Sequence, residues 1–349
     1  MNGATLEVNR SDAAEFRSLQ GEFLRLGKAG VVAYMPMEAK KGLITIRIES
    51  SSAGAPVSTV VKQVSITRER LQSLSQQAGQ PLGSAARASL RSSLLPPDRS
   101  IDEGKTVLLV DNAYYGLLPE ALEFDGGAIF SSTNLGQALK NLAYLREAKI
   151  RPDEFTAFVG YPETEEDIKA VFKDEKTARL STWKQRAADV RNLKAEFGFT
   201  LYGSSELNKL PTKQAVLKQI EDLKGIIWIT AHAGGCRIRL SAGEAVEISA
   251  NDIASLHLSK HPFVIVRACN GSEAGFAKAF MHAGASAVWV NEGKILASEV
   301  NSQLRQFFST AKNGTVSEAI QAVRHTSPQA AHGTGLHVEL LTREPRHDE

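Results

Sequence analysis

Short apolar runs alternate with longer amphipathic stretches through most of the chain. TVLLVD (106–111), FTAFVG (154–159), FGFTLYG (197–203), GIIWITA (225–231), PFVIVRA (262–268) and SAVWVN (286–291) are largely apolar and bounded by turn residues. Such runs predict strands covered on both faces. Between most of them lie 135–147, 179–195, 212–223, 273–283 and 295–311, which read as helices. Strands alternating with helices predict an open, mostly parallel α/β sheet with helices on both faces.

The first third has a different rhythm. VVAYMPM (31–37) and LITIRIE (43–49) flank the charged turn EAKK, which predicts a β-hairpin. A third strand, VSTVVKQVSI (57–66), leads to a helix from Thr67. Residues 1–27 read as an exposed segment and then a helix, with Phe16, Leu19, Phe23 and Leu24 near a helical period and Ser11 and Asp12 as caps. Residues 78–104 are rich in Ser, Gly, Pro and Arg around SLLPPDRS, which makes them the best candidate for a subdomain boundary or an exposed loop. That boundary divides an accessory lobe, 1–104, from an α/β lobe, 105–349. The charge-dense stretch 164–186 reads as a solvated helical face. No internal repeat is visible.

Composition narrows the function classes. With 41 basic and 39 acidic residues the formal charge is +2, which gives no electrostatic footprint for nucleic acid or an anionic membrane. The start, MNGATLEVNR, lacks the basic and apolar regions of a signal peptide, and no apolar run approaches the roughly 18 residues of a membrane span. Two cysteines in 349 residues make no disulfide framework, and thiols suit a reducing compartment, so a cytoplasmic protein is expected.

Ligands of open α/β sheets bind beyond the carboxyl ends of the strands. Two strand ends carry reactive side chains. GIIWITA runs into His232, Ala233, Gly234 and Gly235, and PFVIVRA runs into Cys269, Asn270, Gly271 and Ser272, with a helix expected from about Glu273. If the two strands are parallel neighbours, the imidazole and the thiol share one rim, and 233–261 supplies a crossover with a short helix at 251–258. A free thiol with a pKa of about 8.5 is only a few per cent thiolate at neutral pH, so a neighbouring imidazole that takes its proton, helped by a helix N-terminus, makes a nucleophile. The backbone amides of Ala233, Gly234 and Cys269 are the candidate oxyanion donors. Taken singly, the same residues read as a small buried Cys and a hydrogen-bonded core His.

Three stretches resemble the CHAT family, caspase-like cysteine peptidases of the wider separase, caspase and gingipain group. TVLLVDNAYYGLLPEAL (106–122) is similar to the family's strand, turn and L-P-x-x-L segment. LPTKQAVLKQIEDLKGIIWITAHAGG (210–235) is similar to its A-T-K helix, strand and catalytic His. PFVIVRACNGSEAGFAKAFMHAGASAVWV (262–290) is similar to its S-A-C-x-T-G strand, helix and A-G-A strand. The tail 299–324 suits the family's last two helices, and the hairpin 31–49 suits the domain's opening. The resemblance implies a caspase-like fold, His232 as general base and Cys269 as nucleophile. It further implies a regulated endopeptidase that cleaves one or a few partner proteins, such as gasdermins, in a bacterial defence or programmed-death system. A regulatory protein, a ligand or a proteolytic clip, with 78–104 as the candidate segment, would then switch it on. No cofactor is implied.

This sequence departs from the family pattern at two places. Ala233 stands directly after the His, where the family usually has Gly. WVNEGK (289–294) offers Asn291 and Glu292 where the family often has W-x-x-D-D. Asn270 and Glu292 are the candidates for lining the substrate pocket, with a solvated loop carboxylate as the plainer role for Glu292. Rival readings are a zinc site from His232/Cys236 and His257/His261, each four apart, a thiol-dependent hydrolase or acyltransferase of non-peptide substrates, and an inactive CHAT-like scaffold. EGKT (103–106) lacks the upstream glycine of a P-loop.

Overall fold

The structure, a computed structural model, describes residues 30–39, 42–50, 56–78, 84–95, 105–111, 129–132, 135–166, 180–207, 209–210, 212–234, 237–240, 246–269, 275–291, 297–326 and 336–339. In chain order these form β1 (Val31–Ala39), β2 (Gly42–Ser50), β3 (Pro56–Val64), α1 (Arg68–Ala78), α2 (Ser84–Leu94), β4 (Thr106–Val110), β5 (Ile129–Ser132), α3 (Leu135–Glu147) and β6 (Phe155–Gly160). There follow α4 (Leu180–Phe197), β7 (Thr200–Tyr202), α5 (Ser204–Leu207), α6 (Lys213–Glu221), β8 (Ile226–Gly234), β9 (Arg237–Leu240), β10 (Val246–Ser249) and α7 (Ala250–Ala254). The last elements are β11 (Phe263–Arg267), α8 (Phe276–Ala283), β12 (Ala287–Asn291), α9 (Ala297–Ala311), α10 (Val316–Thr326) and β13 (Leu336–Glu339).

The main sheet runs β7-β6-β8-β11-β12-β13-β5-β4-β1-β2-β3. The pairs from β7 to β12 are parallel, as are β13-β5, β5-β4 and β4-β1. Because β13 is antiparallel to β12, β5, β4 and β1 point opposite to the β6-β8-β11-β12 block. The sheet is continuous across residue 104: β4 pairs directly with β1.

Burial follows the apolar pattern. In β8, Ile226 and Trp228 face one core and Ile227 and Ile229 the other; β11 divides Phe263 and Ile265 from Val264 and Val266 in the same way. Helices α3, α4, α9 and α10 cover the first face, and α6 and α8 the second. A third core lies between α1, α2 and the β1, β2 and β4 strands. Gly225 opens β8 at φ +71, and a Cβ there would lie 2.2 Å from the Glu154 carbonyl oxygen, so the strand starts where only glycine fits.

Several expectations need correction. The segment 78–104 is not one exposed loop, because it contains α2, whose Ala86, Leu90 and Leu94 recur at helical spacing and are buried. Its Ser and Arg residues masked that period. The run at 197–203 is strand only over Thr200–Tyr202, since Phe197 ends α4. The helix at 251–258 spans Ala250–Ala254, and the crossover that contains it also carries β9 and β10. The helix awaited from Glu273 begins at Phe276. Strands β5, β10 and β13 were not anticipated. The helix expected within 1–27 and residues 167–179 of the charged stretch lie outside the described residues.

Candidate active site

Strand β8 changes partners along its length. Phe155–Gly160 of β6 pairs with Ile226–Ala231, whereas His232, Ala233 and Gly234 pair antiparallel with Arg239, Ile238 and Arg237 of β9. His232 is therefore the first residue beyond the β6 ladder. Gly160 makes that handover possible: a Cβ there would lie 2.8 Å from the Arg239 carbonyl oxygen, so β9 crosses against bare backbone.

On its other side β8 pairs with β11 in parallel, from Phe263↔Ile226 to Arg267↔Thr230, at a constant offset of thirty-seven positions. Cys269 lies thirty-seven positions after His232, so the two residues follow the last paired rung by the same two positions, each just beyond the carboxyl end of the β8–β11 ladder. Neighbouring strands are about 4.8 Å apart. The register is held by a side chain: the Thr230 hydroxyl donates to the Arg267 carbonyl at 3.2 Å. Cys269 is half-buried and outside any disulfide, while Ala268 before it is buried in the opposite core.

The level continues onto β6, where Val159↔Thr230 and Gly160↔Ala231 put Tyr161 level with His232. Tyr161 is buried at 3 % exposure; its hydroxyl donates to Asn301 Oδ1 at 3.1 Å and lies 3.4 Å from Thr230 Oγ1. Asn301 Nδ2 donates in turn to the Arg186 carbonyl at 3.2 Å. One polar chain thus ties α4, α9, β8 and β11 beneath the rim. Burial pushes the Tyr161 hydroxyl up to about 12, against the lowering influence of Thr230, Arg186 and Arg267, so it remains a neutral donor at physiological pH.

Arg267 is the unusual group. It is 1 % exposed, its Nη2 donates to Gln303 Oε1, and its guanidinium stacks on Trp289 at 5.3 Å from the ring centroid. Its Nε and Nη1 are buried with no hydrogen-bond partner. Desolvation brings it down to about 9, with Glu299 and Tyr161 acting in the opposite sense. A cation whose folded pKa is depressed destabilises the fold at every pH below that value, so Arg267 subtracts from stability at neutral pH. An uncompensated buried charge costs several kcal/mol after relaxation.

Other expected site residues are placed as follows. Ala233 and Gly234 close β8 within the hairpin to β9. Asn291 ends β12, level with Arg267 by the offset of twenty-four that pairs Phe263 with Ala287. Asn270, Glu292, Gly235 and Cys236 lie outside the described residues. Because α8 starts seven residues after Cys269, with Gly275 as its cap, the helix-terminus support for a thiolate is not part of the described geometry. Among the described residues no group of three or more His, Cys, Asp or Glu could hold a metal ion, and His261 turns its Nδ1 to the Gly284 carbonyl at 2.7 Å. Sequence reasoning overlooked Tyr161, Arg186, Arg267, Asn301 and Gln303. Arg267 had left a signal, a charged residue inside an otherwise apolar strand run.

No protein-family model matches the chain, and no curated protein does. Among solved structures, it is similar to a chain of the Saccharomyces cerevisiae separase–securin complex, with a TM-score of 0.54 and 9 % sequence identity. The match covers 96 % of this chain and 32 % of that one, so this chain spans about a third of its neighbour's length. At that identity the likeness speaks for fold. This is a mixed α/β chain with a mostly parallel sheet flanked by helices, the caspase-like architecture of its separase neighbour.

Proposed function

We propose that this chain is a regulated cysteine endopeptidase in which His232 activates Cys269. The observation that carries the reading is that both residues follow the last paired rung of the parallel β8–β11 ladder by two positions, at the carboxyl rim where open α/β sheets do chemistry. His232 takes the proton from the thiol, and the thiolate sulfur attacks the scissile carbonyl carbon. Backbone amides at Ala233, Gly234 and Cys269 receive the oxyanion, each worth about 2.7–4 kcal/mol to the transition state. Collapse breaks the C–N bond, and the imidazolium returns its proton to the leaving amine. Water, deprotonated by the same imidazole, then releases the acyl group.

The CHAT resemblance carries the finer assignment: cleavage of one or a few partner proteins in a bacterial defence or programmed-death system, under control of a regulatory protein or ligand. That the separase neighbour was solved with a protein partner, securin, supports a protein substrate or regulator. Asn270 and Glu292 remain the proposed pocket-lining residues, and the division into an accessory lobe, 1–104, and a catalytic lobe, 105–349, stays part of the proposal. A cytoplasmic protein fits this reading, and no helix among the described residues is long and apolar enough to cross a membrane.

The test is labelling of the full chain with a peptidyl acyloxymethyl ketone, alongside cleavage of a peptide library. Wild type is expected to label at Cys269, and Cys269→Ala and His232→Ala to lose at least about a thousandfold in rate. Equal alkylation of Cys236 and Cys269 with no dependence on His232 would instead leave a CHAT-like scaffold.

A further inference from the structure

Thr230 sits where two ladders end. It forms the last paired rung between β8 and β11, with Arg267, and the last but one between β8 and β6, with Val159. From His232 onward β8 pairs with β9 instead of β6. On the far side of β11, pairing with β12 stops one residue earlier, at Val266↔Val290. The chain then leaves strand geometry at Ala268 and Cys269. The segment that bears the thiol therefore departs from a rung with no further ladder beyond it. At that rung a side chain adds a bond, because the buried Thr230 hydroxyl donates to the Arg267 carbonyl at 3.2 Å.

The neighbours of Thr230 decide where its proton goes. Two hydroxyl protons, those of Thr230 and Tyr161, serve three oxygen contacts. The Tyr161 hydroxyl lies within reach of both Asn301 Oδ1, at 3.1 Å, and Thr230 Oγ1, at 3.4 Å. Asn301 settles the choice. Its Nδ2 donates to the Arg186 carbonyl at 3.2 Å, which turns its Oδ1 toward Tyr161. An amide flipped the other way would set two oxygens against each other. The Tyr161 proton is thus committed to Asn301, and Thr230 keeps its own for the Arg267 carbonyl, which is nearer than the Tyr161 oxygen. All three side chains are buried, so such groups bond within the protein.

We infer that Thr230 is a positioning residue for the dyad: its hydroxyl, with the proton reserved by the Tyr161–Asn301–Arg186 chain, anchors the end of β11 so that Cys269 meets His232 in a reactive arrangement. This rests on the peptidase reading above. The bond touches no reacting atom. It acts by removing freedom from the short stretch between the Arg267 carbonyl and the thiol, and a misplacement of about 1 Å at reacting groups costs about 100-fold in rate.

The experiment uses the full chain. Thr230→Val keeps the branched shape and removes the hydroxyl, Thr230→Ser keeps the hydroxyl, and Leu90→Ala weakens the third core far from the rim. Cleavage of one peptide from the library, Cys269 alkylation by iodoacetamide at about pH 10, where thiols ionise unaided, and thermal unfolding are measured for each. Thr230→Val is expected to lose about 30-fold or more in kcat with KM within about threefold of wild type. Its alkylation by iodoacetamide should stay within about twofold, since that reaction needs only an exposed thiolate. Thr230→Ser should cleave within about threefold of wild type, and Leu90→Ala within about twofold although its melting temperature falls. Tyr161→Phe leaves the Thr230 proton on its carbonyl and should lose less than about fivefold. Full kcat in Thr230→Val, an equal loss in Thr230→Ser, or as large a loss in Leu90→Ala overturns the inference and leaves the peptidase standing. A Thr230→Val chain that cannot fold does the same, because the hydroxyl then serves the fold. A loss in Tyr161→Phe that matches Thr230→Val overturns the proton assignment, and the inference with it. Absence of any Cys269-dependent reaction in wild type overturns both readings.

Discussion

Two strands in this molecule each bury an arginine, and the two are treated in opposite ways. Arg47 on β2, 6 % exposed, faces Glu49 on its own strand: Nη2 donates to Oε2 at 2.8 Å and Nη1 meets Oε1 at 2.5 Å. Lys105 at the start of β4 adds a contact to the same carboxylate at 3.3 Å. Arg267 on β11, more deeply buried, has one amide oxygen and an aromatic face. The first is a cluster in which one carboxylate, shared by two cations, fastens the entry of β4 to the hairpin. The second is a charge held without its counterion at the rim where Cys269 emerges. Burial of a charge in an apolar strand thus does not by itself say whether the fold gains or loses by it; the partners decide.

The widest separation between the two arginines is expected in activity. Arg267→Gln, beneath the rim that bears Cys269, should cost about tenfold or more in Cys269-dependent cleavage, while Arg47→Gln should change it by less than about twofold, read from initial rates on one peptide. Comparable losses from both would erase the contrast. Stability should separate them in the reverse direction. Arg47→Gln is expected to lower unfolding free energy by about 1–2 kcal/mol in urea titration, a figure reduced because Glu49 is partly solvated. Arg267→Gln should lower it by nothing.

A smaller effect comes from pH. Arg47's hydrogen bonds hold the Glu49 carboxyl below its ordinary 4.5 despite burial, with Lys105 adding to the effect. A carboxylate depressed in the fold contributes stability above its unfolded value and loses it as pH falls through the lower folded one. The advantage of wild type over Glu49→Gln should therefore be full near about pH 6 and shrink toward about pH 3. Asp252 offers the same kind of test at the start of α7. Burial would raise it, but hydrogen bonds from Lys213 Nζ, the Ser249 hydroxyl and the Ser249 amide bring it to about 2. It completes the capping box of α7, which leads into β11. Asp252→Asn is expected to cost about 1 kcal/mol at neutral pH, with the difference fading as pH drops from about 4 toward 2.

The sequence alone determined the strands of the β6-β8-β11-β12 block, the β1-β2 hairpin and the helices between, because apolar periodicity is local and each element displays its own. It also singled out His232 and Cys269 as residues at strand ends, since a polar residue after an apolar run is visible without any partner. Weak periods hid α2 among serines and arginines, and the four-residue strands β5, β10 and β13 are too short to declare themselves.

Tertiary structure decided what depends on neighbours. Register between β8 and β11 is a relation between segments far apart in sequence, so only pairing could bring the ends of those strands, and with them His232 and Cys269, to one rim. The reversal of direction at β13 joined two parallel blocks that the order of runs does not reveal. Whether a buried arginine is satisfied is likewise a property of its surroundings. Arg47 and Arg267 look alike as charged residues in apolar strands, and the positions of Glu49 and Gln303 in space make one a structural tie and the other an open charge.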